Sequence, residues 1–270
     1  MGIPYAEVIG DPVAHSKSPA IHKFWLERLG LQGDYHATRV TEADLARYFA
    51  ARRQDADWRG CNVTMPLKRA VQPFLDDIDE AAARIGAVNT IWRDRTGGLS
   101  GTNTDWRGVH FALGYPAQHH ASAAVIGTGG GARAALEELR RAQVRRVILV
   151  SRSPEKANAL LGGFGLDGGV QSLDQALVVD LIINASPLGM AGHPPLELDL
   201  SGLPSTATVM DMVYNPRETA LLRRARALGL RTVDGLSMLI GQAASAFSCF
   251  FGQSSGDPFD TPALRERLAG

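Results

Sequence analysis

Cysteine is scarce in this chain and neither sign of charge is in excess. Only Cys61 and Cys249 occur in 270 residues, far apart and inside apolar runs. They read as small core residues in a reducing compartment, which excludes a disulfide framework. Lys plus Arg and Asp plus Glu number 28 each, leaving no net field to draw nucleic acid or an anionic membrane as a partner. The seven His show no metal-ligand spacing, and the pair His119–His120 falls in a polar joint, so no metal is expected. "MGIPYAEVIGD" lacks a charged start followed by a long apolar run, so no signal peptide is read. The most apolar stretch, Leu236 to Phe251, is shorter than the ~20 residues of a membrane span and carries Ser237, Gln242, Ser245 and Ser248. It reads as a buried helix. These absences point to a soluble, cytoplasmic protein.

What is present is a core-forming composition. Apolar residues make up 45% and charged residues 21%, and 270 residues suit two domains better than one. "YAEVIG" (5–10) reads as a strand. "HSKSPAIHKFWLERLG" reads as a helix capped by Ser18, with Pro19 in its first turn and Gly30 at its end. "YHATRV" (35–40) is a second strand, and Thr41 with Asp44 forms a capping pair that opens a helix to about Arg53. Strands follow at "RGCNVT" and "VNTIWRD", and "TGGL" turns the chain back. Between them, Pro66 breaks the chain and Lys68 opens something helical. This alternation predicts a largely parallel sheet covered on both faces. After a polar joint at 116–121 the alternation restarts. Strand 123–127, helix 131–142, strand 146–150 and helix 154–161 precede a glycine-rich loop at 162–169. Strands 180–184 and 208–213, helix 217–228 and a short strand at 231–233 follow. Helix 236–251 is apolar almost all round and must be covered; it is expected to cross back to the first domain and help floor a cleft.

"AVIGTGGGARAAL" has the order that a dinucleotide site requires: apolar strand, glycine turn, helix start. Gly127 permits the tight turn. Gly129, with Gly130 and Gly131 beside it, lets backbone approach a pyrophosphate, and Ala132 allows close helix–strand packing. The helix N-terminus adds N–H groups and partial positive charge. An NAD site expects an acidic residue about 20 positions past the glycines, on the ribose 2′-hydroxyl. Here the chain reads "VSRSPEK". Ser151, Arg152 and Ser153, with Lys156 one turn on, suit a 2′-phosphate that a carboxylate would repel. NADP is the expected cofactor.

The substrate has to be read from polar residues that local structure does not need. "HSKSP" offers Ser16 and Ser18, of which Ser18 already has a use as a cap. Asn62 and Thr64 share one side of an extended chain in "NVT". "AVNTI" adds Asn89, and "SGTNTDWRG" adds Asn103 and Asp105. Hydroxyls, amides, Lys68 and one carboxylate together suit a small polyhydroxylated carboxylate.

From about Glu7 to Gly252, "GDPVAHSKSPAIH", "NVTMPLK", "GAVNT", "GTNTDWRG", "GTGGGARAA", "NASPLGM", "DMVYNPRET" and "GLSMLIGQAA" stand in an order that resembles the shikimate dehydrogenases. The resemblance implies an α/β protein of two domains. A substrate-binding catalytic domain would cover 1–105, with a mostly parallel sheet and the returning C-terminal helices of 236–270. A Rossmann-type NADP-binding domain would cover 106–235. The implied activity is reversible, NADPH-dependent reduction of 3-dehydroshikimate to shikimate in aromatic amino-acid biosynthesis, by a monomer or homodimer.

Carried over residue by residue, the resemblance makes Lys68 and Asp105 the catalytic pair. Ser16 and Ser18 would hold the substrate carboxylate, and Thr64, Asn89, Asp105 and Gln242 its hydroxyls. Tyr214 would lie near both substrate and nicotinamide. Met212, Val213 and Met238 would shape the nicotinamide pocket, Gly235 would approach it through backbone, and Asn184, Ala185 and Ser186 would pass beside the cofactor. Hydride arriving at a ketone carbon leaves negative charge on oxygen, where a lysine ammonium is both donor and proton source. In this picture Pro66 ends its strand so that Lys68 faces the carbonyl. Trp106 and Arg107 stand where many members carry a small residue, and their bulk is expected to narrow or redirect the cleft. Two α/β units on a cleft also imply a hinge. A quinate or aminoshikimate dehydrogenase of the same family remains an alternative, as does a non-catalytic regulator that binds NADP and a metabolite.

Overall fold

The computed structural model describes residues 2–114, 120–252 and 259–268. The chain divides into two compact units, Met1–Thr104 with Gln242–Gly270, and Asp105–Gly241. His119 of the histidine pair lies outside the described residues.

In the N-terminal part of the first unit, strands and helices follow as the apolar runs and turn residues dictate: β1 (Tyr5–Gly10), α1 (Ser18–Leu29), β2 (Asp34–Arg39), α2 (Leu45–Gln54), β3 (Trp58–Val63), β4 (Asp77–Ile78), α3 (Glu80–Ile85), β5 (Thr90–Arg93) and β6 (Leu99–Thr102). The strands form one sheet in the order β2-β1-β3-β5-β6-β4. β1 pairs in parallel with β2 and β3, and β4 with β6, while β5 runs antiparallel to β3 and β6. The reversal has a local cause. Asp94 Oδ1 accepts from the N–H of Thr96 at 2.8 Å and of Gly98 at 3.1 Å, closing a tight turn between β5 and β6. So short a connection links only antiparallel strands. Successive residues of β1 serve opposite faces. Ile9 joins Leu45, Phe49, Trp58 and Ile91 on one, and Ala6 and Val8 meet Tyr35, Ala246 and Phe250 on the other.

The second unit opens with α4 (Asp105–Leu113) and continues through β7 (Ser122–Ile126), α5 (Gly130–Arg141), β8 (Arg146–Val150), α6 (Pro154–Phe164), β9 (Gly168–Gln171), β10 (Leu181–Asn184), β11 (Thr208–Asp211), α7 (Ala220–Ala227) and β12 (Arg231–Val233). Its sheet is parallel throughout, in the order β12-β11-β10-β7-β8-β9. The order in which strands are added reverses between β7 and β10, where an open parallel sheet leaves a crevice at the C-terminal strand ends. The apolar helix read from the sequence is α8 (Gly235–Phe251), and its residues Ala246 and Phe250 are covered by β1 and β2 of the first sheet. α9 (Pro262–Arg267) follows it.

Four readings need correction. Ser18 does not cap α1: Lys17 takes the cap position without a side-chain bond, and the Ser18 N–H donates to Ser16 Oγ at 3.3 Å. Lys68 opens no helix; it lies in a series of turns, tied by the N–H of Leu67 to Thr64 O at 3.0 Å and of Val71 to Leu67 O at 3.1 Å. The stretch 162–169 is not a loop, because α6 runs through Gly162 and Gly163 and β9 starts at Gly168 as an edge strand. Finally, α4 was not anticipated at all; its nine residues follow directly on the "TNTD" turn.

Two buried polar groups in the first unit carry much of its stability balance. Glu7, wholly enclosed in β1, accepts from Arg52 Nε at 2.6 Å, Tyr48 Oη at 2.7 Å, Trp58 Nε1 at 3.0 Å and Thr38 Oγ1. Burial pushes its carboxyl up, but the hydrogen bonds from Arg52, Thr38 and Tyr48 and the Arg52 charge outweigh burial and hold it below its ordinary value. His22 on α1 stacks on Tyr35 with ring centroids 4.0 Å apart, and neither of its ring nitrogens has a partner. Burial alone drives its pKa from 6.5 down to about 3.

Replacing Glu7 by Gln strands the Arg52 charge and is expected to remove about 3 kcal/mol in urea unfolding at neutral pH. The wild-type advantage is present above the unfolded carboxyl value of 4.5 and fades as pH falls through and below it, so the two proteins converge in acid. His22 works at higher pH. The unfolded chain takes up its proton near 6.5 and the folded chain only near 3, so stability drops across that window, by up to about 5 kcal/mol. His22→Phe is expected to raise the urea midpoint, and by more at pH ~5 than at pH ~8; an equal gain at both would contradict the buried neutral imidazole.

Candidate active site

In the second unit the expected cofactor residues gather at the C-terminal ends of β7, β10 and β11. Gly127 leaves β7 with φ at +107°, a conformation that favours glycine, and a Cβ there would stand 3.2 Å from Ala185 O. Gly129 caps α5 with no side chain. A Cβ on Gly129 or Gly130 would meet nothing within 4 Å, so there is open space beside the start of α5, whose first N–H groups have no partner within the helix. Gly131 lies against Met212, whose Sδ would be 3.1 Å from a Cβ at that position, and Ala132 is fully buried in the first turn of α5. A bare helix N-terminus with room above it fits a dinucleotide pyrophosphate. Gly235 has a different reason to be glycine: a Cβ would come within 2.4 Å of Met212 O and 2.6 Å of Val213 O. Its close approach is to protein backbone.

Asn184 and Ser186 are tied into the protein. Asn184 Nδ2 donates to Asp211 Oδ1 at 2.9 Å and Leu188 O at 3.0 Å, and its Oδ1 accepts from Ser186 Oγ at 2.7 Å and Ser186 N at 3.1 Å. Asp211 also accepts from Thr219 Oγ1 at 2.7 Å and Val213 N at 3.0 Å. Burial pushes the Asp211 carboxyl above its ordinary value, against the pull of Thr219, Val213 and Asn184. One enclosed acid thus locks the loop after β10 to the loop after β11, the two that carry Ala185 and Met212. Sequence reasoning missed both Asp211 and Thr219, although an acid closing the apolar run "TVMD" was the available signal.

At the end of β8 stand the residues expected to read the ribose. Ser151 Oγ accepts from the Ser153 N–H at 3.1 Å, and Arg152, Ser153 and Lys156 are exposed. Among the described residues Arg152 makes no ion pair. Tyr214 and Met190 are exposed after β11 and β10, and Met238 is half-buried on α8.

The first unit brings three of the expected polar residues, Asn62, Asn89 and Gln242, into one buried hydrogen-bond network. Tyr35 Oη donates to Asn62 Oδ1 at 2.7 Å, and Asn62 Nδ2 donates to Thr90 Oγ1 at 3.0 Å and Asn89 O at 3.2 Å. Thr90 Oγ1 donates to Asn89 Oδ1 at 2.9 Å, which also accepts from the Thr104 N–H at 2.7 Å. Thr104 Oγ1 reaches Gln242 Oε1 at 3.4 Å. Asn62 is therefore occupied with β2, β5 and the residue before β5, and Asn103 donates to Ala87 O at 2.9 Å. Tyr35, Thr90 and Thr104 went unread because nothing local marks them.

Lys68 is half-buried, and its carbonyl accepts from the Val88 N–H at 2.8 Å, one residue before Asn89. Thr64 is half-buried at the end of β3, with its N–H on Ile9 O at 2.9 Å. Ser16 and Ser18 stay together at the entrance of α1 through the bond already described. Asp105 is buried in the first turn of α4. Trp106 does not behave as expected. It is buried against α5, with the Arg107 and Arg141 guanidinium carbons 4.5 and 4.3 Å from its ring centroid, so its bulk is taken up between α4 and α5. Among the described residues no group of His, Cys, Asp or Glu could hold a metal ion, and no helix is long and apolar enough to cross a membrane.

Comparison with known proteins gives these arrangements a context. Residues 8–91 match the family of shikimate dehydrogenase substrate binding domains. Over 250 residues the chain is 56% identical to a shikimate dehydrogenase (NADP(+)) of Sphingopyxis alaskensis, covering 92% of this chain and 91% of that one. The shikimate 5-dehydrogenase of Thermus thermophilus, solved with NADP(H) and shikimate, superposes with a TM-score of 0.85 at 38% identity and 99% coverage of both chains. The ligand-free 5-ketofructose reductase of a Gluconobacter strain superposes at 0.90 with 28% identity, covering 100% of this chain and 99% of the other.

Proposed function

The chain belongs to the shikimate dehydrogenase family, and on that premise we propose how its residues divide the NADPH-dependent, reversible reduction of 3-dehydroshikimate to shikimate. The observation that carries the reading is the 56% identity to an NADP(+)-dependent relative across 92% of the chain, with Lys68 and Asp105 both in place. Bound NADPH supplies the hydride; everything else is positioning and proton management by the protein.

The N–H groups of Gly129, Gly130, Gly131 and Ala132 hold the pyrophosphate at the start of α5, with Gly127 making the turn. Arg152 grips the 2′-phosphate, helped by Ser151, Ser153 and Lys156. Met212, Val213, Tyr214, Gly235 and Met238 surround the nicotinamide, and the Asn184–Ala185–Ser186 loop backs it. On the substrate side, Ser16 and Ser18 donate to the carboxylate, while Thr64, Asn89, Asp105 and Gln242 take the ring hydroxyls. The Lys68 ammonium donates to the ketone oxygen and gives up a proton to it as charge builds there. Asp105 fixes that geometry by accepting hydrogen bonds beside it. In the oxidative direction the neutral amine takes the proton back.

The reaction belongs in the cytoplasm, where free thiols such as Cys61 and Cys249 persist. Every residue named comes from one chain, so a monomer or a homodimer serves. A second reading, reduction of a keto sugar, is favoured by the 0.90 superposition on 5-ketofructose reductase. The paired hydroxyls of Ser16 and Ser18 speak for a carboxylate, which a neutral keto sugar lacks.

Lys68→Ala is expected to lower kcat by roughly a hundred- to ten-thousand-fold while the shikimate KM changes little, measured by initial rates of NADP reduction. Near-normal turnover would remove Lys68 from the chemistry. Arg152→Asp is expected to reverse the preference between NADP and NAD, read as the ratio of the two kcat/KM values; an unchanged ratio would free Arg152 of the 2′-phosphate.

A further inference from the structure

We propose that Asp211 keeps a negative charge beside the nicotinamide pocket and thereby favours binding of the oxidised, cationic NADP over NADPH; this rests on the assignment of Met212 and Val213 to the nicotinamide. Asp211 closes β11, directly before those two residues, and is completely enclosed. Its partners are all neutral and all donors. Oδ1 accepts from Asn184 Nδ2 at 2.9 Å and from the Val213 N–H at 3.0 Å, and Oδ2 accepts from Thr219 Oγ1 at 2.7 Å. Among the described residues Asp211 makes no ion pair. An enclosed acid without a basic partner either takes up a proton or is held as an anion by hydrogen bonds.

The bonding pattern is that of the anion. A carboxyl proton needs an acceptor, and an amide NH2 group and a backbone N–H offer none. Only Thr219 Oγ1 remains. That hydroxyl is buried, already accepts from the Leu222 N–H at 3.3 Å, and has Asp211 as the partner for its own proton. A proton on Asp211 would reverse this bond and strand the Thr219 proton in a site from which water is excluded. Burial raises the carboxyl above its ordinary value, and the three donors work against that rise. The first turn of α7, capped by Thr219, compensates the charge by at most about half a unit.

Such a charge acts over several ångströms inside a protein, because little water screens it. The two states of the cofactor differ at one place. The oxidised nicotinamide ring is positively charged and the reduced ring is neutral, while phosphates, riboses and adenine are the same. A fixed anion beside the ring therefore adds affinity for NADP and leaves that for NADPH nearly unchanged. A purely positional role, in which Asp211 only ties Asn184 and Val213 together, affects both forms alike.

The test is Asp211→Asn, which keeps the size and an acceptor for Asn184 and Val213 but removes the charge. Titration calorimetry without substrate gives Kd for NADP, for NADPH and for adenosine 2′,5′-bisphosphate, which lacks the ring. The Kd for NADP should rise about tenfold, with NADPH and the bisphosphate within about twofold of wild type. Asp211→Glu retains the charge and should keep the ratio of the NADP and NADPH values near wild type, even where both weaken. Equal weakening of NADP and NADPH by Asp211→Asn, an equal loss of the bisphosphate, or no change at all would overturn the charge role. Met212→Ala separates that failure from a misplaced pocket. It should weaken NADP and NADPH alike and spare the bisphosphate; if it spares all three, the nicotinamide assignment fails and the inference with it. If Asp211→Asn does not fold, Asp211→Ser is read by the same criteria.

Discussion

A carboxamide in water samples both of its orientations, whereas one whose oxygen accepts two enclosed donors is held in a single sense. Both units of this protein use that restriction. In the first, Asn89 Oδ1 takes the Thr104 N–H and the Thr90 hydroxyl. In the second, Asn184 Oδ1 takes the N–H and hydroxyl of Ser186 while its Nδ2 is anchored on Asp211. Each amide joins segments far apart in sequence, and each stands beside residues assigned to ligand. Removing such a partner leaves a buried polar atom unpaired, at a cost of about 1–3 kcal/mol. That cost is what keeps flexible polar side chains fixed enough to recognise a small polyol and a dinucleotide.

How much of this was legible depends on whether the cause is local. The strand–glycine–helix unit at 122–141 could be read because a tight turn and a bare helix start restrict residue choice at neighbouring positions. The capping pair Thr41–Asp44 was legible for the same reason, and Thr41 N–H does reach Asp44 Oδ2 at 3.3 Å. Ser18 does not fill its expected capping role because Lys17 takes that position, and the Ser18 N–H turns to Ser16 Oγ instead. β9 was hidden by glycines that signal a loop in isolation but permit close pairing with β8 in the fold. Asn62 illustrates the opposite limit. Its spacing with Thr64 suggested a ligand-facing residue, yet partners 27 and 28 residues away bind it completely.

The family resemblance supplied roles that no spacing rule could give, and the coordinates add what the resemblance lacks. Asp211 and Thr219 explain why the loops that carry Ala185 and Met212 keep their places. The bulk of Trp106 is received by Arg107 and Arg141 between α4 and α5. A fully buried neutral His22 and a fully buried charged Glu7 sit in the same unit, stable for opposite reasons: one has no hydrogen-bond partner and loses its proton, the other has four donors and keeps its charge.

The account turns on substrate chemistry: a ring ketone carrying hydroxyls and a carboxylate, reduced with a 2′-phosphorylated cofactor. Its most direct test is the initial rate of NADPH oxidation with 3-dehydroshikimate and, side by side, with 5-ketofructose, each repeated with NADH. The expected result is a kcat/KM for 3-dehydroshikimate with NADPH at least about a hundredfold above the other three combinations. Comparable turnover of the keto sugar, or of either substrate with NADH, would contradict it.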